Sequence, residues 1–470
     1  MQQTTRTTTR QGMALTLLCI AEFVNVLGVT VVIVALPAMG ASLGLTDADL
    51  QWVVSAYALM FGSFLLLAGR AADLYGRRLF FMVGLGVFVG ASLVCGVAGT
   101  LPVLVAARAV QGLGAAMVVP AALSTLATIF LEGTQRDRAV GIWTAVAAGG
   151  GAAGFFLGGV VSETLGWRWV FLLNVPVGLL GMALAPAFLP ESHDARAARR
   201  LDLGGAVCVT TGLLLLIYGF TRAEEAGFTS GTLAVFGLAL TALLTFLTVE
   251  ANVVNPLVPP HVWRSGNLTG SSLVAFSLTA TTSAGAVIGT LYLQNVLGYS
   301  ATATGLAYAP SSVAVVVGSL VGTVLIGRVG RKPVMTFGLV LISLAMLVSA
   351  GISAEGGFAF LLTGIMVSGF GLGCASVAST ATGVSAVAED EGGLASGLLN
   401  AAAQVGTAVG IAALTLVAAR ATASNAAGAE AATALVGGYQ LAYLVASGIA
   451  AGGVLAVFSL VRGAEPDSDR

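Results

Sequence analysis

The sequence predicts an all-α integral membrane protein, and three observations carry that expectation. Of its 470 residues, 57% are hydrophobic and 9% charged, with mean hydropathy +0.97, a composition suited to lipid and not to water. Apolar stretches of about 18 to 25 residues recur along the whole chain, each long enough to cross a hydrocarbon core of roughly 30 Å as a helix. The alternating segments of about ten residues that would mark a membrane β-barrel are absent.

The spans follow in order from these apolar runs. After the polar "MQQTTRTTTRQG" the first begins near Met13; it is too long for a cleaved signal and lacks a small-residue cleavage site, so it is expected to be retained. The others begin near Asp49, Leu79, Pro102, Arg138, Arg168, Leu203, Gly231, Leu268, Gly305, Pro333, Gly357, Leu394 and Gly438. This gives about fourteen transmembrane helices joined by short loops. An even number puts both termini on one side. Arg70, Arg77, Arg78, Arg199, Arg200, Arg328, Arg331 and Lys332 share that side, whereas Arg168, Arg222 and Arg420 lie opposite. The basic side is the cytoplasmic one, so both termini are expected there.

The net charge of −1 decides nothing about partners, but no long basic run is present, so no nucleic-acid partner is expected. Cys19, Cys95, Cys208 and Cys374 all fall in spans without metal-ligand spacing, so neither a disulfide nor a metal site is expected. His193 and His261 fall in loops, and no span carries a Ser/His or paired-carboxylate constellation, which argues against an enzyme. A phosphate-cradling G-x-x-x-x-G-K-[ST] loop is also missing, so no nucleotide or other cofactor is expected.

"GRAADLYGRR" (69–78) follows the second span and "TVLIGRVGRK" (323–332) follows the tenth, an echo that points to an internal repeat. The expected organisation is a six-helix bundle over 1–190, a basic loop with two extra central helices over 191–265, and a second six-helix bundle with a short tail over 266–470. Repeated six-helix halves suggest two bundles rocking about a central site, and the 63 glycines would let their helices approach closely.

Several motifs make the reading specific. Gly69, Asp73, Gly76, Arg77 and Arg78 match the G-x-x-x-D-x-x-G-R-R loop of the major facilitator superfamily, in which a turn glycine, an acid and two arginines can form a cytoplasmic latch. The second copy has Gly327 in place of the acid. "RAVQGLGAA" in the fourth span resembles the superfamily motif whose arginine, here Arg108, is associated with proton transfer. In the fifth span Gly141, Gly150, Gly154, Gly158 and Gly159 keep the spacing of the antiporter motif G-x(8)-G-x(3)-G-P-x-x-G-G, but Phe155 replaces its proline, so no proline kink is encoded. "WRWVFLLNVPVG", "LYLQNVLGYSATATGLAYAP" and "GGLASGLLNAAAQVGTAVG" complete a nearly full-length resemblance to the fourteen-span drug/proton antiporter family. That resemblance implies the major facilitator fold and efflux of an amphiphilic drug or natural product in exchange for protons. Arginine used almost to the exclusion of lysine, with abundant Ala, Gly and Val, suggests a bacterial source and so the bacterial cytoplasmic membrane, and a monomer is expected.

The first span departs from the family pattern L-D-x-T-V-V-N-V-A-L-P: Gly28 stands for the acid and Ile33 for the asparagine. Glu22 is the only acid well inside a span. Six helical residues place it about 9 Å along and about 120° around from Gly28, so it does not substitute for the acid position by position. Asn25, one turn on, shares its face and can hydrogen-bond it. A charged side chain at mid-membrane costs roughly 3 kcal/mol on insertion scales, so a buried Glu is neutral unless water or a cation reaches it. Glu22 and Arg108 are the candidate proton-coupling residues; a purely structural Glu22–Arg108 pair is the alternative.

Asn25, Gln51, Tyr57, Gln111, Tyr292, Gln294, Asn400 and Gln404 are the candidate substrate-cavity residues, with Trp52 and Asn174 beside them. Few charges among them point to a neutral or weakly polar amphiphile. The leading reading is proton-coupled export of a small molecule. An uncoupled or uptake facilitator and a non-transporting membrane receptor on the same fold stay open.

Overall fold

The computed structural model describes residues 2–130, 134–191, 202–253, 256, 258, 264–387, 392–425 and 431–461. The described chain is built of helices: α1 (Gln2–Leu43), α2 (Asp47–Tyr75), α3 (Arg77–Val97), α4 (Leu101–Ile129), α5 (Thr134–Thr164), a single turn α6 (Trp169–Leu172), α7 (Asn174–Phe188), α8 (Leu203–Ala226) and α9 (Ser230–Asn252). Then come α10 (Gly266–Leu291), extended by a π-turn (Tyr292–Val296), α11 (Ala301–Val329), α12 (Arg331–Ser349), α13 (Phe358–Val384), α14 (Gly392–Asn425) and α15 (Ala431–Leu460). Eleven of the described helices are long and apolar enough to cross a membrane.

Helix starts are set by local chemistry. Thr46 and Asp49 form a capping box at α2, while Asp202, Thr229, Ser265 and Ser300 accept an amide at the starts of α8, α9, α10 and α11. Two turns require glycine: Gly76 between α2 and α3 has φ +119°, and Gly330 between α11 and α12 has φ +83°. They sit at equivalent points of the two echoing loops. The sixth span expected near Arg168 is divided at a single residue, Leu173, into α6 and α7, although Leu173 keeps helical dihedrals and the two together are one apolar stretch long enough to span.

Packing repeats across the chain. In the N-terminal half α1 packs on α5, α4 lies against both α2 and α3, and α7 lies against α1 and α3. In the C-terminal half α10 packs on α14, α13 lies against both α11 and α12, and α15 lies against α10 and α12. The halves meet through the corresponding pairs α2 with α14 and α5 with α11. The α8–α9 pair leans on α2 and α14 through α8. Its second helix turns Leu238, Leu240, Leu244 and Leu247 outward, a face that only lipid can cover at low cost.

The principal core includes α1, α2 and most of the C-terminal half, from Val31 and Leu36 to Ile342, Cys374 and Tyr443. Close approach depends on glycine at particular points: a Cβ on Gly112 would strike the Tyr57 carbonyl, and one on Gly338 the Gly371 carbonyl. Each lies where a helix of one echoing loop crosses its partner, so the backbones touch without intervening side chains.

Candidate functional site: a buried Glu–Arg network beside a hydroxyl-lined cavity

Arg108 on α4 is completely buried in the N-terminal half. Its Nε donates to the Val53 carbonyl at 2.8 Å, and its Nη1 donates to Gln111 Oε1 at 2.6 Å and to the Gly28 carbonyl at 3.5 Å. The guanidinium also lies 4.4 Å from the Tyr57 ring centroid and 5.8 Å from that of Phe171, so its charge is met by carbonyl dipoles and ring faces. Gln111 is held in turn by Nε2 donating to Ser92 Oγ at 2.7 Å. Arg108 and Gln111 meet because they stand three residues apart on one helix.

Glu22 and Asn25 share a face of α1 for the same reason. Asn25 hydrogen-bonds the Glu22 carboxyl, and Tyr57 Oη donates to Asn25 Oδ1 at 2.5 Å. Both α1 residues are buried, and Glu22 Oε2 has no partner among the described residues. No ion pair joins Glu22 to Arg108 among the described residues; Tyr57 stands between them, bonded to the acid's partner on one side and stacked with the guanidinium on the other. At the position of the family's acid, a Cβ on Gly28 would meet only the Phe88 ring at 3.6 Å and Asn174 Nδ2 at 3.9 Å. The Asn174 amide nitrogen and Arg108 Nη2 are both buried without a partner among the described residues.

The other candidate cavity residues occupy different places. Gln51 accepts from Thr415 Oγ1 at 2.7 Å and so joins α2 to α14. Gln404 lies against Gly62, also between α14 and α2. Gln294, in the π-turn, donates to the Val34 carbonyl of α1 at 3.2 Å, and Tyr292 donates to the Ser353 carbonyl at 2.9 Å. Asn400 is exposed. None of the eight lines the described cavity.

That cavity, of about 280 Å³, lies between α1 and α5 of the first half and α10, α11, α12, α13 and α15 of the second. Thr30, Thr282, Ser283, Ser311, Ser368 and Tyr443 bring hydroxyls to its wall, and Phe155 stacks on Tyr308 there with ring centroids 4.8 Å apart. Sequence reasoning missed these residues. The signal available for them was weak: paired hydroxyls, Thr282–Ser283 and Ser311–Ser312, inside otherwise apolar spans.

In the 69–78 loop, Arg77 Nη1 donates to Thr128 Oγ1 at the end of α4. Arg78 pairs with Glu191 at 3.1 Å and reaches the Leu189 carbonyl. Gly76 leaves the space that Glu191 occupies, and Gly69 abuts Pro120. These bonds lie within the N-terminal half. The side chain of Asp73, like Glu132, His193 and His261, lies outside the described residues. The second copy repeats the pattern without its acid: Arg331 Nη1 donates to Ser385 Oγ, and Lys332 Nζ to the Val461 carbonyl at 2.7 Å.

The glycines of the fifth span form two seams. Gly150, Gly154 and Gly158 seat α5 on α1 at Phe23, Thr30 and Val31, while Gly159 meets the Ala301 carbonyl and, reciprocally, Gly305 of α11 meets the Phe155 carbonyl. Gly141 lies in α5, below the seams. Helix α5 runs unbroken through Phe155, as the missing proline predicts.

Comparison with known proteins agrees with this architecture. The sequence matches the Major Facilitator Superfamily over residues 18–411 and 270–470. It is 40% identical over 408 residues to the cephamycin export protein CmcT of Amycolatopsis lactamdurans, covering 85% of this chain and 84% of that protein. It is 36% identical over 420 residues to the puromycin resistance protein pur8 of Streptomyces alboniger, covering 88% and 83%. The methylenomycin A resistance protein of Streptomyces coelicolor is 33% identical over 407 residues, covering 86% and 85%. A bacterial homologue of the lysosomal transporter Spinster, solved in an inward-facing and unoccupied conformation, shares the fold with a TM-score of 0.63 at 18% identity, over 96% of this chain and 98% of that one. The chain belongs to the major facilitator superfamily of transporters, alongside members named for antibiotic export and resistance.

Proposed function

We propose that this protein is a proton-coupled antiporter that exports a small amphiphilic drug or secondary metabolite across the bacterial cytoplasmic membrane. It is a transporter and not an enzyme. The export and resistance proteins named above support the direction and the substrate class. The observation that carries the coupling is Glu22: a buried carboxyl with one oxygen unpartnered, tied through Asn25 and Tyr57 to the buried cation Arg108. Such a carboxyl is neutral while sealed in an apolar setting and ionises when water reaches it. Alternating access to its surroundings therefore loads and releases a proton, with Arg108 as the fixed charge that the network reads.

The remaining architecture fits the same proposal: fourteen spans, bundles over 1–190 and 266–470, the α8–α9 pair as an insertion over 191–265, a monomer, and both termini in the cytoplasm. The 69–78 loop acts as the cytoplasmic latch. Gln51, Gln294 and Gln404 mark the interface on which the halves rock, and the 280 Å³ cavity holds the cargo.

The test is Glu22→Gln in proteoliposomes. Export driven by an imposed pH gradient is expected to fall at least about tenfold, whereas exchange of labelled for unlabelled substrate without a gradient continues. Gradient-driven export that survives Glu22→Gln would favour the second reading, an uncoupled facilitator. The vacant acid position at Gly28 supports that reading.

A further inference from the structure

None of the side chains lining the 280 Å³ cavity is charged. A charged ligand would lose its hydration there without gaining a counter-charge. The wall hydroxyls have a direction as well. Thr30 donates to the carbonyls of Val26 and Leu27, Thr282 to Leu278, Ser368 to Ile365, Tyr308 to Ala286 and Tyr443 to Gly285. These five hydrogens are spent on backbone carbonyls, and what remains of each of the five hydroxyls is oxygen lone pairs. Ser283, Ser311, Ser312 and Ser349 also line the wall without such a bond among the described residues, so five of its nine hydroxyls can only accept from a ligand.

The second feature is the aromatic pair. Phe155 of α5 stacks on Tyr308 of α11 with 15° between the ring planes, and both line the cavity. Phe155 is half-buried, so part of its ring remains open. The two rings come from opposite halves of the molecule, and the glycine contacts around them fix how closely α5 and α11 approach. A flat ring in the cavity can extend this stack. At about 280 Å³ the space lies just below the range of ligand pockets, roughly 300 to 1,000 Å³, and has room only for a compact ring system.

We infer that the cavity binds an uncharged compound with a flat ring and hydroxyl or amide hydrogen-bond donors, selected by Phe155 and Tyr308. The inference rests on the export reading only in taking this compound as the cargo; binding itself requires no proton gradient. Phe155 is thus a specificity residue of this chain at the position where the family motif carries proline.

The experiment measures saturable binding to the full chain in lipid nanodiscs near neutral pH, with empty nanodiscs subtracted. The probes are 2-naphthol, 2-methoxynaphthalene, 2-naphthoate and decalin-2-ol. Saturable binding of 2-naphthol is expected. The methoxy compound, which cannot donate, should bind about fivefold more weakly, and the anion and the non-planar alcohol should show no saturable binding. Phe155→Leu and Tyr308→Leu should each weaken 2-naphthol about three- to tenfold, and Phe155→Tyr should restore it. Melting curves identify any variant that fails to fold, and two independent sites keep the test decisive. Absence of 2-naphthol binding, 2-naphthoate binding as tight as 2-naphthol, or folded Phe155→Leu and Tyr308→Leu proteins with unchanged affinity would overturn the inference. None of these outcomes depends on proton coupling, so the two readings fail separately.

Discussion

Arg108 is a full positive charge with no carboxylate in ion-pair range among the described residues, in a setting where desolvation of a cation is costly. Two carbonyls, the Gln111 amide oxygen and the Tyr57 face compensate it, and all depend on the planar, forked shape of a guanidinium. Arg108→Lys keeps the charge but reaches only part of this set. It is expected to destabilise the protein by about 2 kcal/mol, read as a fall in melting temperature in detergent. The sequence makes Arg108 and Gln111 legible because their relation is local, one turn of one helix. Glu22 and Asn25 are legible for the same reason. The sequence marks Tyr57 only as a cavity candidate, since the bond to α1 and the stack under Arg108 arise from how three helices are rotated against each other.

At the scale of elements, the crossing of α5 and α11 is the contact most sensitive to side-chain size. A Cβ at Gly305 would run into the Phe155 carbonyl, and backbone cannot yield as a flexible side chain can. Glu163 of α5 further ties this crossing by accepting the Thr302 amide at 3.0 Å. Gly305→Leu should therefore hold the two helices apart, costing about 1–3 kcal/mol. It should also lengthen the distance between spin labels placed near the end of α5 and the start of α11. An unchanged distance would show that the crossing tolerates bulk. The glycine spacing was readable in the sequence, and so was the unbroken course of α5. The chain's own signal did not reveal that one glycine seam faces α1 and the next faces α11, because spacing fixes a face and not its neighbour.

At the scale of the whole molecule, the echo between the two loops extends into their bonds. Arg77 with Thr128 corresponds to Arg331 with Ser385, and Arg78 at the Leu189 carbonyl corresponds to Lys332 at the Val461 carbonyl. In both halves a cation satisfies the open carbonyl end of a terminal helix, a favourable place for positive charge. This contact needs no acid, which explains how the second loop keeps it with Gly327 in the acid's place. The excess of basic residues on this face predicts that reporters fused at either terminus will be active only on the cytoplasmic side. Activity on the outer side would reverse the orientation and with it the transport direction argued above.

The sequence by itself determined the solvent, the helical character, the starts of most helices, the echo between the two loops and the family. These depend on hydropathy, capping residues and spacing, all of which are local along the chain. Only the tertiary structure decided which polar groups meet. It separated Glu22 from Arg108 by Tyr57, sent Gln51 and Gln404 to the interface between halves, and gave the cavity to hydroxyls and to Phe155 and Tyr308. In lipid an apolar stripe does not mark the inward face of a helix as it does in water. The contacts follow instead from close packing of small residues, and their rotational phase becomes visible only once the helices are assembled.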